Sequence, residues 1–540
     1  MSVWNLGRGF PAIGSTTESK EALGGRASVY LSRRTTQEDP TTWMRTLGYM
    51  RGNILACRYS FPSQLSTRES HRDLVETFER AVARVVLKHP QLHVGIAGGS
   101  TARPYWVRLD NVKLDDHIDW RLVEGEADDH LREAFVRAAY EQLDTEFSNH
   151  ETTPGWRLVV LRRANASSIE VLLVFDHTIL DGGSAKIFHK ELLQSLQDDA
   201  RPTDDQDAGL KDHVLMLPGD STATLSPPPE DVVRFPVTAD PTAADEAAVV
   251  HARNPADAHW APIATAPFKS QFRTIAVPLT LLSQLVQTCR QHQVTLTGLL
   301  HALALVSLAP LLGQADSSAF TSMTAMDLRR FLPSHQAERP WFKPEEAMSN
   351  YVTILNHGFD EDLVAKVRSR GTSSSSAGFG FAGITDLVWS AAGRVRRNIA
   401  AKLDQGTTND MIGFALAVDD WRAYLIESTR RPRPASWVIT NLGWSTADPT
   451  CHPSGSDTGP QASWSITQSE CVMCANVVSA AFGISMTAVQ GGDLIINITW
   501  QDCVVSAELG EAFVGNLQRW LTSGEVLALR RLGAEWEHRL

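Results

Sequence analysis

The chain has 540 residues, of which 43% are hydrophobic and 21% charged, and its formal net charge is −12. So much apolar material excludes a wholly disordered chain, the length exceeds what one hydrophobic core usually serves, and the acidic balance argues against a nucleic-acid partner held through its phosphates. Six cysteines are too few for a disulfide framework.

In chain order, residues 1–40 are rich in Gly, Ser and Thr without periodicity. The start has no basic residue followed by an apolar run, so no secretory leader is expected and the chain reads as cytoplasmic. The sequons at Asn165 and Asn497 then read as chance matches. Residues 52–61 read as a strand. Residues 71–88 carry Leu74, Phe78, Val82 and Val85 at helical spacing and stop at His89-Pro90. Residues 91–96 and 105–109 read as strands, and 127–147 as a second long helix. Two β-rich runs, 156–161 and 168–175, flank a polar turn; the second is apolar enough to be a central strand covered on both faces. A helix is expected over 184–196.

Residues 198–262 are rich in Asp, Pro, Ala and Thr and include Pro227-Pro228-Pro229. They read as a linker or surface excursion. The expected organisation is therefore an N-terminal unit over 1–197, this linker, and a C-terminal unit over 263–540. In the latter, a strand is expected over 271–278, helices over 279–292 and 295–312, and a strand over 320–326. A Gly/Ser-rich loop follows over 371–383, then a helix over 385–403. Strand-like runs lie within 437–441, 473–489 and 493–501, and a helix over 506–521. The uncharged stretch 294–313 approaches membrane-span length, but His301 and Pro310 make it a buried helix. Residues 530–540 read as a docked amphipathic end.

The most informative stretch runs from Val174 to Ser184. His177 stands where a buried strand ends; Asp181 follows four residues later, then Gly182, Gly183 and a helix. A strand end beside a glycine turn presents a side chain rigidly, and a nearby carboxylate orients the ring or pairs with an arginine and locks the loop. An imidazole so held suits a general base near neutral pH. Other signals are weaker. Cys471 and Cys474 form a lone CxxC without a second pair and read as buried or incidental thiols. His89 and His93 flank Pro90 with no third ligand nearby, so no metal is expected. Residues 378–383 match GxGxxG but follow a serine run rather than a strand. No GxSxG occurs.

His177-Thr178-Ile179-Leu180-Asp181-Gly182 resembles the HxxxDG motif of the chloramphenicol-acetyltransferase-like acyltransferases. Agreement extends to Val86 through Leu92, similar to their HPxL segment, to Met326-Asp327-Leu328-Arg329-Arg330-Phe331-Leu332, and to Thr440-Asn441-Leu442-Gly443. Asp176 stands where condensation domains carry a second histidine, and Asn441-Leu442-Gly443-Trp444-Ser445 replaces the plant enzymes' DFGWG. The segment from Leu47 to Ser60 is similar to the start of the fungal alcohol acetyltransferases. The resemblance implies an α/β (α+β) fold of two acyltransferase-like subdomains, each a mixed or antiparallel sheet with flanking helices, enclosing a central tunnel. It implies a monomer moving an acyl group, acetyl expected, from coenzyme A to the hydroxyl of a small molecule, such as a secondary metabolite. No permanently bound cofactor is expected. Alternatives on the same fold are a carrier-protein thioester as donor, a condensing or cyclising catalyst, and a silent binding protein. His177 would be the base, and Asp181 a structural residue paired with Arg329 beside Gly182. Thr440 and Asn441 are the oxyanion candidates. Lys366, Arg368 and Arg370, with Arg394, Arg396 and Arg397 nearby, are the candidate contacts for coenzyme A phosphates.

Overall fold

The computed structural model describes residues 29–30, 40–99, 104–125, 127–199, 209–218, 225–238, 258–371, 384–445 and 463–522. A five-stranded sheet runs in the order Ser465–Val472, Gly52–Ser60, Ser168–Asp176, Trp156–Arg163, Ile118–Val123. All its pairs are antiparallel except the last, which is parallel. The central strand, Ser168–Asp176, is buried at every position but its first. Its alternation sorts the side chains by face. Val171, Leu173 and Phe175 enter the core beneath helices His71–Lys88 and Gly182–Asp199, while Leu172 and Val174 enter the core under helix Asp128–Asp144. Burial on both faces explains the unbroken apolar run.

A six-stranded sheet runs in the order Ser270–Val277, Leu494–Gln501, Phe482–Val489, Trp437–Ser445, Phe320–Asp327, Val352–Phe359. Trp437–Ser445 is parallel to both its neighbours, and the other pairs are antiparallel. Helices Leu279–Gln291, Leu296–Leu308, Thr385–Gln405 and Ala507–Thr522 pack on this sheet in one core. Leu296–Leu308 is buried from Gly298 to Leu308, which accounts for its lack of charge. Among the described residues no single helix is long and apolar enough to cross a membrane; the apolar pair Leu279–Gln291 and Leu296–Leu311 turns through 96°.

Three departures from the sequence reading have physical causes. Pro90 fixes φ and lacks an N–H, so Pro90–His93 is a 3-10 turn and the strand is only Val94–Ala97. Within 473–489 only Phe482–Val489 is strand, preceded by an unforeseen one, Ser465–Val472. The latter escaped notice because its buried positions include Ser469 and Glu470. Glu470 is satisfied by Arg132 at 2.6 Å, a residue more than 300 positions away. Strands Ile118–Val123 and Val352–Phe359 were likewise hidden, the second by buried Thr353 and His357.

Strand Ser465–Val472, from the later half of the chain, completes the sheet built by the earlier half. In the Pro-rich stretch, Val214–Met216 pairs with Asn111–Lys113, and Phe235 packs with Leu328, Leu332, Phe342 and Tyr351. The GxGxxG match at 378–383 and the amphipathic end at 530–540 lie outside the described residues.

Candidate active site

The central strand ends at Asp176 in a tight turn. The Asp176 carboxylate accepts the N–H of Thr178 at 2.8 Å, and its carbonyl accepts the N–H groups of Ile179 and Leu180. The turn carries His177 at intermediate exposure. Its Nδ1 is buried without a hydrogen-bond partner among the described residues.

Asp181 opens the helix Gly182–Asp199. Its carboxylate is 1% exposed and accepts from five donors. Arg329 grips it with Nη1 to Oδ2 at 2.8 Å and Nη2 to Oδ1 at 3.0 Å, and the N–H of Tyr351 donates to Oδ2 at 2.9 Å. Ser184 donates its N–H at 2.7 Å and places its hydroxyl at 2.8 Å. Burial alone would raise the carboxyl's pKa, but the charge and hydrogen bonds of Arg329 outweigh it and hold the group below its ordinary value. Arg329 also bonds Asp327 at 3.1 Å and the carbonyls of Ala347 and Ser349. Asp181 and Arg329, 148 residues apart in sequence, thus lock the turn behind His177 to the second sheet.

His177 lines a cavity of about 860 Å³, a volume typical of small-molecule sites. Phe175, Gly182, Gly183 and Lys186 form one wall, and Met326, Thr440, Asn441, Leu442 and Met473 the other. A second imidazole, His189, also lines it, but both its nitrogens are committed. Nδ1 lies 2.8 Å from the Tyr59 hydroxyl and Nε2 2.9 Å from the carbonyl of Leu55. Burial lowers its pKa to about 4. With Nδ1 at the Tyr59 hydroxyl and Nε2 at the Leu55 carbonyl, His189 has no ring nitrogen left for a substrate.

The remaining sequence candidates divide. Thr440 and Asn441 reach the cavity from the strand Trp437–Ser445. The Thr440 hydroxyl donates to Met473 Sδ at 3.5 Å; Asn441 gives Nδ2 to Thr297 at 3.0 Å and takes the N–H of Gly443 at 2.8 Å. Gly182 faces this strand so closely that a Cβ would stand 2.4 Å from Leu442 Cδ2. Lys366, Arg368 and Arg370 instead lie on helix Glu361–Gly371 and do not line the cavity. Arg368 bonds the carbonyls of Ala309 and Ser317 at 2.9 and 2.7 Å, and Arg370 pairs with Asp386 at 2.7 Å. Arg394, from the same basic group, pairs with Asp360. A run of basic letters does not reveal which carbonyls or carboxylates absorb it. The cations that do line the cavity are Lys186, Lys190, Arg329 and Arg330. Sequence reading passed over Lys186 and Lys190; the signal was their spacing of three and seven residues after Gly183, on one face of the helix that follows the motif.

Residues 76–356, just over half of the chain, match the family model described as alcohol acetyltransferase. A probable alcohol acetyltransferase, FCK4 of Fusarium pseudograminearum, is 24% identical over 455 residues, covering 82% of this chain and 84% of the relative. A second, crmB of Aspergillus fumigatus, is 24% identical over 383 residues, covering 68% and 72%. Among solved structures, the trichothecene 15-O-acetyltransferase TRI3 from Fusarium sporotrichioides superposes with a TM-score of 0.64 at 13% identity, over 91% of this chain and 94% of the other. The first condensation domain of the calcium-dependent antibiotic synthetase gives 0.56 at 11% identity, over 91% and 95%.

Proposed function

This chain belongs to the alcohol acetyltransferase family and transfers an acyl group to an alcohol, and we propose that it moves acetyl from coenzyme A to a hydroxyl of a small secondary metabolite. The observation that carries the reading is His177, free at a cavity that both sheets line, on a turn held by the Asp181–Arg329 pair. An alcohol is a weak nucleophile until its proton leaves. We assign that proton to Nε2 of His177, because Nδ1 is buried. The alcohol oxygen attacks the thioester carbonyl as the proton passes to the ring. We assign the oxyanion to the wall of Thr440 and Asn441, whose hydroxyl and amide groups line the cavity with His177. Collapse breaks the carbon–sulfur bond, and the imidazolium returns its proton to the thiolate. The ester and free thiol leave with the enzyme unchanged. Lys190 and Arg330, exposed on the cavity wall, supply positive charge for the donor's phosphates on a chain that is acidic as a whole.

The test is release of free coenzyme A from acetyl-coenzyme A in the presence of a panel of alcohols, with ester formation followed by mass. His177→Ala should lower turnover by about 10²–10⁴-fold and leave the melting temperature in place. Wild-type turnover in His177→Ala would remove the assignment of the base. A wild-type protein that ignores acetyl-coenzyme A yet consumes a carrier-protein thioester would overturn the donor.

A further inference from the structure

The strand Trp437–Ser445, which carries Thr440 and Asn441, does not run straight past the cavity. Its ladder with Phe482–Val489 pairs Asn441 with Met486 and Gly443 with Thr487, so Leu442 is an extra residue, a bulge. Gly443 turns the chain with a φ of +66°, a conformation that costs glycine nothing. On the strand's other side, pairing with Phe320–Asp327 ends at Thr440. The carbonyl of Leu442 therefore belongs to the bulge of one ladder and lies past the end of the other.

That carbonyl accepts Nζ of Lys186 at 2.6 Å. Lys186 sits one turn into the helix that begins immediately after Asp181. Its side chain lines the cavity, partly buried, and the Leu442 carbonyl is its hydrogen-bond partner among the described residues. A lysine nitrogen donates to a carbonyl in either protonation state, so the contact does not depend on its charge. Close by, Leu442 packs its side chain against Gly182. Asn441 is held from the opposite side by Thr297.

We propose that Lys186 is a positioning residue: through Leu442 it sets the distance between the wall that carries His177 and the bulge that carries Thr440 and Asn441. The geometry gives it this place because the motif helix packs on the first sheet while the bulged strand belongs to the second, and the carbonyl of the bulge residue takes its donor from across the cavity. Without that donor the bulge relaxes toward another partner, and the groups facing a developing oxyanion move with it. Displacements of about 1 Å at reacting groups cost roughly 10²-fold. This inference rests on the acyl-transfer reading above.

The experiment compares wild type, Lys186→Met and Lys186→Arg by steady-state kinetics and by hydrogen–deuterium exchange of the peptide spanning 437–445. Methionine keeps the length and removes the donor; arginine keeps a donor of similar reach. In Lys186→Met, kcat should fall about 10–100-fold, with KM for thioester and alcohol moving by less than about threefold. Exchange over 437–445 should quicken, and Lys186→Arg should recover most of both. Unchanged kcat in Lys186→Met, a rise confined to KM, or an arginine variant as poor as the methionine variant would overturn the proposal. Exchange is read without substrate. Unchanged exchange in Lys186→Met therefore defeats the clamp alone, whereas a wild-type protein inert toward every thioester and alcohol defeats the functional reading alone.

Discussion

Replacing Asp181 with Asn keeps the side chain's shape and removes its charge. Arg329 then stays buried, its side chain 8% exposed, with Asp327 as its remaining carboxylate at 3.1 Å. Removing one member of a buried pair costs about 3–5 kcal/mol because the survivor is left uncompensated. The residual Asp327 contact puts this case at the lower end, about 3 kcal/mol. At about 2.1 cal/mol/K of unfolding entropy per residue, a chain of 540 residues shifts by about 1 °C per kcal/mol, so the melting temperature should fall by roughly 3 °C. Activity should fall as well, because the turn behind His177 loses its anchor. The decisive assay is a double-mutant cycle of Asp181→Asn, Arg329→Met and the pair, followed by urea denaturation and turnover. The double variant should be less destabilised than the sum of the singles, by about 1–3 kcal/mol. The pH dependence has a definite sign. The carboxyl's pKa is lowered in the fold, so its contribution is present above the ordinary carboxylate range and is lost as pH falls through the folded value. Asp181→Asn should flatten that acid limb. Additive singles, or a melting temperature within about 1 °C of wild type, would refute the lock.

Gly182→Ala should push Leu442 away and lower turnover, since the new Cβ would meet Leu442 Cδ2 at 2.4 Å; Leu442→Ala added to it should restore part of the loss, and its failure to do so would place the strain elsewhere. Buried histidines make a second acid-sensitive set: burial lowers His89, His93, His189 and His357 to about 4, and His301 well below its ordinary value. Because the unfolded chain binds protons first, stability should fall as pH drops from about 6.5 toward 4, by up to about 1.4 kcal/mol per pH unit for each such group. A flat denaturation midpoint across that window would contradict it. Arg368→Ala should destabilise by about 1–3 kcal/mol through the carbonyls of Ala309 and Ser317, with KM for the thioester unchanged. A raised KM at an unchanged melting temperature would return that helix to the donor site.

Much of the scaffold could be read in advance because burial writes periodicity into the chain. The helix His71–Lys88 announces itself through Leu74, Phe78 and Val82, and the central strand through an apolar run that only double-sided cover permits. His177 and Asp181 were legible because strand end, turn and helix start lie within a few residues. Arg329 was reached through resemblance alone; no local feature joins it to Asp181, and the bond exists because two sheets meet there. Strand Ser465–Val472 could not be picked out because its buried Glu470 is satisfied by Arg132, a partner no local window contains. The basic helix Glu361–Gly371 shows the converse: the partners of its arginines are carbonyls and carboxylates that neighbour it only in space.

The chain by itself therefore determined its long helices, its central strand and the placing of an imidazole four residues before a motif aspartate, all properties of neighbouring residues. Tertiary structure alone decided which cations face the cavity, which histidine keeps a ring free for chemistry, and how Lys186 meets a bulge more than 250 residues away. Those outcomes depend on hydrogen-bond partners brought together by packing, and a buried polar group takes its role from the partner it finds.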